Sequence, residues 1–392
     1  MRQHKPKPTV KQTTTRLPNM EKKPQRLYFI DAIRAWAILM MLQGHFIDGL
    51  LDAVFKDSSS NVYLIWKYFR GMTAPVFFTV SGFIFTYLLL RGEQPQKPNP
   101  RIKKGIKRGL QLLFIGYLLR INILGWLGGY LYNSFYLVDV LHCIGLSILG
   151  IIGCYYVTKK IKSKLVFAVL LLAISCILFL YEPQYTGIAY TFLPNALENY
   201  ISNINGSVFT IIPWFGYTAF GGFLAVLFSK YKLYKHLYPT AIISSIIVGV
   251  LLIFYSSKFF AFIANSTETT FLVDVYSNNY LFIRLGDVLL VFAIFMLLRK
   301  FLNHKLILKI GQNTLSIYII HFIILYGSFT GLGLYRFFKY SFSPITAIFG
   351  ALTFMVVCSA LALLYDKHQT EIKEKLNRLK LAILKLFRLV KN

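Results

Sequence analysis

Acidic residues are scarce in this chain. Only 15 Asp and Glu stand against 43 Lys and Arg, a formal net charge of +28. Charged residues together fill 15% of the 392 positions, too few to cover the surface of a water-soluble globule. Cysteine is scarce too. Cys143, Cys154, Cys176 and Cys358 all sit inside apolar runs without metal-ligand spacing. That excludes a disulfide scaffold and a zinc cluster, and the thiols read as small core residues. No HExxH motif occurs, so no metal is expected. No internal repeat stands out, which argues against a transporter-type duplication.

Apolar residues are plentiful. They make up 56% of the chain and aromatics 17%, against roughly 45–50% apolar in average soluble proteins. Lipid tails solvate such side chains directly, provided the backbone satisfies its own hydrogen bonds in helices. The expected fold is therefore all-α, a polytopic transmembrane bundle. A span needs about 20 apolar residues. About ten are expected, at 28–50, 72–91, 107–125, 136–157, 164–181, 207–229, 239–256, 279–299, 307–328 and 344–366.

The basic residues lie in short clusters between these runs, in the tail 1–27, at 91–108, 159–164, 230–235 and 299–305. The loops between them are poor in Lys and Arg, and the stretch 182–206 has none. Nucleic acid is not the expected partner of this charge. Such alternation sets topology and touches anionic membrane lipid, and it puts both termini in the cytoplasm of a multi-pass cell-membrane protein. Residues 1–27 are expected to form a disordered basic tail, and 28–366 the membrane domain. Residues 367–392, with Leu376, Leu379, Ile383 and Phe387 at helical spacing, are expected to form a basic amphipathic helix.

Ionisable residues inside a bilayer are costly, about 2.5–3.5 kcal/mol each at the centre of a span, so they mark candidate sites. The first span carries Asp31, Arg34, His45 and Asp48 at successive offsets of 3, 11 and 3. These fall on one stripe of a helix, which must face the protein interior or a water-filled cavity. Arg34 and His45 are about 16 Å apart along the axis, Arg34 toward the cytoplasm and His45 toward the outside. Asp139 and His142, at i and i+3, open the fourth span, where the carboxylate can hold one ring nitrogen and leave the other as a base. Arg284 and Asp287 repeat the spacing in the eighth span and read as an internal ion pair. His321 lies in the outer half of the ninth span, as ready to be a satisfied interhelical histidine as a working one. Pro75, Ser81 and Gly82 in the second span, and Pro213, Trp214 and the following glycines in the sixth, read as devices for kinks and close helix packing.

Five stretches occur in an order that resembles a known family: FIDAIRAWAILMMLQGH (29–45), TAPVFFTVSGF (73–83), VDVLHCIGLS (138–147), IIPWFGY (211–217) and GQNTLSIYIIH (311–321). They resemble the group of unknown function classed with the heparan-alpha-glucosaminide N-acetyltransferase catalytic domain. That group is similar to the wider transmembrane acyltransferases, which include the acyltransferase 3 proteins. The resemblance implies transfer of an acyl group, as acetyl, from cytoplasmic acetyl-CoA to an extracytoplasmic glycan or glycolipid. Arg34 and His45 match the Arg, ten residues, His arrangement of acyltransferase 3 proteins. The match implies His45 as general base or acyl relay, with Arg34 pairing a CoA phosphate or Asp31. It also implies Asp139 and His142 as a second acid–base element. A homodimer is left open. Two other readings stand beside it. A transporter or flippase would use the same buried charges for a proton-coupled path, and a membrane scaffold would not use them at all.

Overall fold

A computed structural model describes residues 26–94, 97–161 and 163–389. The tail 1–25 lies outside the described residues, as do 390–392. Among the described residues no β-strand forms, and helices account for nearly all regular structure.

The expected spans each correspond to a helix. They are α1 (Tyr28–Leu50), α3 (Thr73–Arg91), α4 (Pro100–Arg120), α5 (Val140–Lys159), α6 (Lys164–Leu180), α7 (Ile211–Lys230), α8 (Leu237–Thr267), α9 (Tyr280–Leu297), the pair α10 (Lys305–Gln312) and α11 (Thr314–His321), and α12 (Pro344–Leu389). Before α3 comes α2 (Asn61–Gly71). Seven helical stretches, one of them α2 with α3, are long and apolar enough to cross a membrane, and the bent α10–α11 pair adds an eighth. Two shorter or more polar members complete the bundle. α6 is apolar but only 17 residues long, and α4 opens on a basic turn.

Helix starts follow local chemistry. Asn99 caps α4 by accepting from the Arg101 N–H, with Pro100 in the first turn. Asp139 caps α5 by accepting from the Leu141 N–H. Ser60 caps α2 through the Tyr63 N–H.

Several boundaries differ from expectation: α4 begins and ends earlier than 107–125, and α8 runs on past residue 256 to Thr267. The second span is preceded by α2, whose mixed composition hid it among loop residues. The ninth span is not continuous. It bends by 66° between α10 and α11, where the Asn313 side chain donates back to the Lys309 carbonyl at 3.0 Å and competes with helix continuation. After α11 one π turn, Phe322–Tyr326, ends at Gly327, whose φ of 71° few other residues adopt. The last helix runs from Pro344 to Leu389 without a break at residue 366.

α1 sits at the centre and packs on α3, α9, α10, α11 and α12. α3 and α7 cross beside it at glycines. A Cβ on Gly82 would collide with the Thr218 backbone, and one on Gly221 with the Thr79 backbone. The expected close packing of these two spans is thus present. Water does not drive helices together inside a bilayer, so such close backbone contact carries much of the association. α8 is peripheral. Phe254 and Phe262 on it are 64% and 70% exposed, an outward apolar surface suited to lipid. At one end of the bundle Phe29, Phe83, Phe228 and Phe292 form an aromatic core. The same end gathers the basic clusters, tied together in part by Lys164 and Glu93 at 2.9 Å. The opposite end opens into a cavity.

Candidate active site

The last two turns of α1 place His45, Asp48 and Gly49 on the wall of a cavity of about 880 Å³. α2 and α4 each end on the same wall with an arginine, Arg70 and Arg120. Asp139, before the first turn of α5, faces them. α11 and the π turn after it supply Tyr318 and Tyr326, and α7 supplies Trp214. Six separate elements thus converge on one polar chamber.

His45 is the pivot. Its Nδ1 lies 3.0 Å from the Tyr326 hydroxyl. Its Nε2 makes no hydrogen bond among the described residues, and the ring lines the cavity. An imidazole held through one nitrogen presents the other to a ligand. His321 stacks on the His45 imidazole, ring centroids 5.5 Å apart and 24° from parallel. It is fully buried, and neither of its ring nitrogens has a hydrogen-bond partner among the described residues. A second space of about 70 Å³ starts at His45 and runs inward past Gly44 to Met40 and Met41.

Ion pairs frame the chamber. Arg70 bridges Asp48. Arg120 meets the Asp139 carboxylate at 3.3 Å and donates to the Ser134 carbonyl at 3.1 Å. Asp139 also contacts His142, Oδ1 to Nδ1, at 3.1 Å. The Asp139 backbone N–H points at the same Nδ1 from 3.3 Å. One ring nitrogen cannot accept from that N–H and donate to the carboxylate at once, so its protonation decides which bond forms. Asp139 reaches the cavity, whereas His142 is fully buried behind it, its Nε2 unpartnered. Gly116 leaves the space that the His142 ring fills, and Tyr117 meets it edge-on at 4.4 Å. The Tyr117 hydroxyl contacts that of Tyr200 at 2.7 Å. Burial, with the Tyr117 hydroxyl beside it, pushes the Tyr200 phenol far above its ordinary value, so it stays neutral.

The remaining sequence candidates lie elsewhere. Asp31 and Arg34 sit at the opposite, basic end of α1. Arg26 holds Asp31 at 2.7 Å, while Arg34 stands 3.8 Å from it and donates to the Thr314 hydroxyl at 2.9 Å. Most donors of the Arg34 guanidinium therefore remain for another partner. Arg284 and Asp287 pair at 2.9 Å behind Gly71, and the Tyr68 hydroxyl donates to Asp287 at 2.5 Å. This is an internal clamp between α2 and α9. Among the described residues no group of three His, Cys, Asp or Glu converges as a metal site.

Sequence reasoning missed Arg70, Arg120 and Tyr326. Arg120 had a signal: it is a basic residue at the end of a helix followed by a loop, 121–139, without Lys or Arg, whereas Arg70 is accompanied by Lys56 and Lys67. Tyr326 had none, because only the bend at Asn313 and the π turn direct it toward His45.

The chemistry of this chamber suits transfer of a group to a polar acceptor: one presented imidazole, flanking cations, and room for a substrate. The family model described as an acyltransferase domain, that of the acyltransferase 3 proteins, matches residues 27–364. No curated protein matches the chain significantly. The match spans all the membrane helices up to α12, including every residue of the chamber, and this multi-pass membrane protein belongs to the acyltransferase 3 family.

Proposed function

We propose that this acyltransferase moves an acetyl group from acetyl-CoA to a hydroxyl or amine of a glycan or glycolipid on the far side of the membrane. The observation that carries the reading is the presented imidazole of His45 in the polar cavity, three helical turns from Arg34 on the same helix. Arg34 and the basic end of the bundle suit the CoA phosphates, since guanidinium groups pair with them through charge-assisted hydrogen bonds. By the positive-inside rule that end is cytoplasmic, with both termini on the same side at the cell membrane and basic clusters against anionic lipid.

The chemistry balances simply. The acceptor gives its proton to His45 Nε2 as its oxygen or nitrogen attacks the thioester carbonyl. The new bond to the acyl carbon forms, the carbon–sulfur bond breaks, and the proton passes from the imidazole to the departing CoA sulfur. Tyr326 holds the ring through Nδ1 while this happens. Family membership favours transfer over the transporter reading.

The test is radiolabelled acetyl transfer from acetyl-CoA in membrane vesicles carrying the full chain. His45→Ala, inserted at wild-type level, is expected to lose transfer by about 10²–10⁴-fold. Undiminished transfer in that variant removes His45 from the chemistry.

A further inference from the structure

Beside the main cavity lies a second, smaller one of about 110 Å³, in the outer region between α6 and α7. Trp214 and Val208 line both, so the two cavities adjoin at these side chains. The small cavity is walled by Glu182, Tyr185, Tyr280, Asn203 and Thr210 together with Trp214.

Glu182 is the unusual member. It is only 4% exposed, yet no Lys, Arg or His pairs with it among the described residues. Its Oε1 accepts from the Thr186 hydroxyl at 2.7 Å and from the Tyr280 hydroxyl at 3.3 Å. Both donors are neutral. Its Oε2 makes no hydrogen bond among the described residues. The nearby loop 182–206 contains no Lys or Arg to supply a countercharge. The other buried carboxylate of that loop, Glu198, is satisfied by the Tyr190 N–H at 2.7 Å and the Asn205 amide at 2.9 Å, and it does not line this cavity. Arg284 is already committed to Asp287.

A carboxylate withdrawn from water without a cation is costly, and a cationic ligand relieves that cost. The aromatic side chains around it point to the same ligand class. Tyr185, Tyr280 and Trp214 line the cavity, and aromatic rings attract cations as carboxylates do. Burial and the adjacent Glu182 push the Tyr185 phenol far up, so it adds no competing charge.

We propose that this cavity is an acceptor subsite that binds a protonated amine, with Glu182 as its counter-ion and Trp214 as the wall shared with the reacting chamber. The proposal rests on the acyltransferase reading and adds the chemical class of the acceptor: an amine-bearing one, such as an amino sugar. The amine held at Glu182 lies apart from His45, so it orients the acceptor while a different hydroxyl or amine reacts.

The test is direct binding, read by saturation-transfer NMR on the full chain in nanodiscs at mildly acidic pH. The probes are methyl α-glucosaminide and its neutral counterpart methyl α-glucoside. The wild type is expected to bind the amine at least about tenfold more tightly, as suits one charge-assisted contact. Glu182→Gln keeps the shape and is expected to abolish that preference. Equal binding of both probes by the wild type, binding of neither, or an undiminished preference in E182Q overturns the proposal. Binding needs no turnover, so His45→Ala keeps the amine preference whatever it does to transfer. The two readings therefore fail separately.

Discussion

His45 and Tyr326 meet at 3.0 Å across the seam between the central helix and the π turn of the broken ninth span. The contact joins a residue 17 positions past the start of α1 to one reached only after the bend at Asn313. It fixes the imidazole by its Nδ1 edge and turns Nε2 to the chamber. Tyr326→Phe removes the bond while keeping the ring that packs on Tyr335 at 5.9 Å. A neutral hydrogen bond contributes about 0.5–1.5 kcal/mol. The expected outcome is a fall of roughly threefold to tenfold in kcat for acetyl transfer, with KM for acetyl-CoA unchanged. A variant with wild-type kcat shows that the ring is held by other contacts.

At the other end of α1, Arg34 shares only a long 3.8 Å contact with Asp31, because Arg26 holds that carboxylate. If its free donors meet CoA phosphates, Arg34→Lys keeps the charge but loses the bidentate geometry. Steady-state kinetics are expected to show KM for acetyl-CoA raised by about tenfold in Arg34→Gln and less in Arg34→Lys, with kcat nearly constant. An unchanged KM in both places CoA recognition elsewhere.

The architecture was legible because its causes are local. Apolar runs of span length and alternating basic clusters mark each expected span, though not α2, and Gly82 and the glycines after Trp214 announce a close crossing. The stripe of Asp31, Arg34, His45 and Asp48 also follows from helical periodicity alone. What stayed hidden depends on distant partners. The helical rise separates the two halves of that stripe, but their partners, Arg26 and Thr314 at one end and Arg70 at the other, come from other segments. The burial of His142 behind Asp139 is set by the gap at Gly116 on another helix. A spacing of i and i+3 brings two side chains together but does not say which of them reaches open space.

Asp287 tests the internal clamp. It is 3% exposed and holds both Arg284, at 2.9 Å, and the Tyr68 hydroxyl. The Arg284 guanidinium in turn lies over the Tyr68 ring, 4.6 Å from its centroid. Asp287→Ala strands a largely buried cation, and removing one partner of such a pair costs about 3–5 kcal/mol. Arg284→Met combined with Asp287→Leu removes both charges and is expected to recover most of the loss. Thermal unfolding in detergent checks both. A single variant as stable as wild type shows that water reaches Arg284 and screens it.

The crossing of α3 and α7 is the most demanding contact in the bundle. Gly82 faces the Thr218 backbone and Gly221 faces the Thr79 backbone, each too close for any side chain. Backbone cannot swing aside as the end of a long side chain can, so even a methyl group must push the helices apart. Thr79 and Thr218 are themselves fully buried, which leaves no slack behind them. Separation would also move Trp214, one turn before Thr218, and with it the chamber wall. Gly82→Ala is therefore expected to lower stability by about 1–3 kcal/mol, and Gly82→Val by more. Gly153, which has open space around it, is the control, and Gly153→Ala is expected to be neutral or mildly stabilising. Unfolding midpoints measured side by side in one detergent decide the matter. Equal midpoints for Gly82→Ala and Gly153→Ala would mean that the two helices do not approach as closely as described.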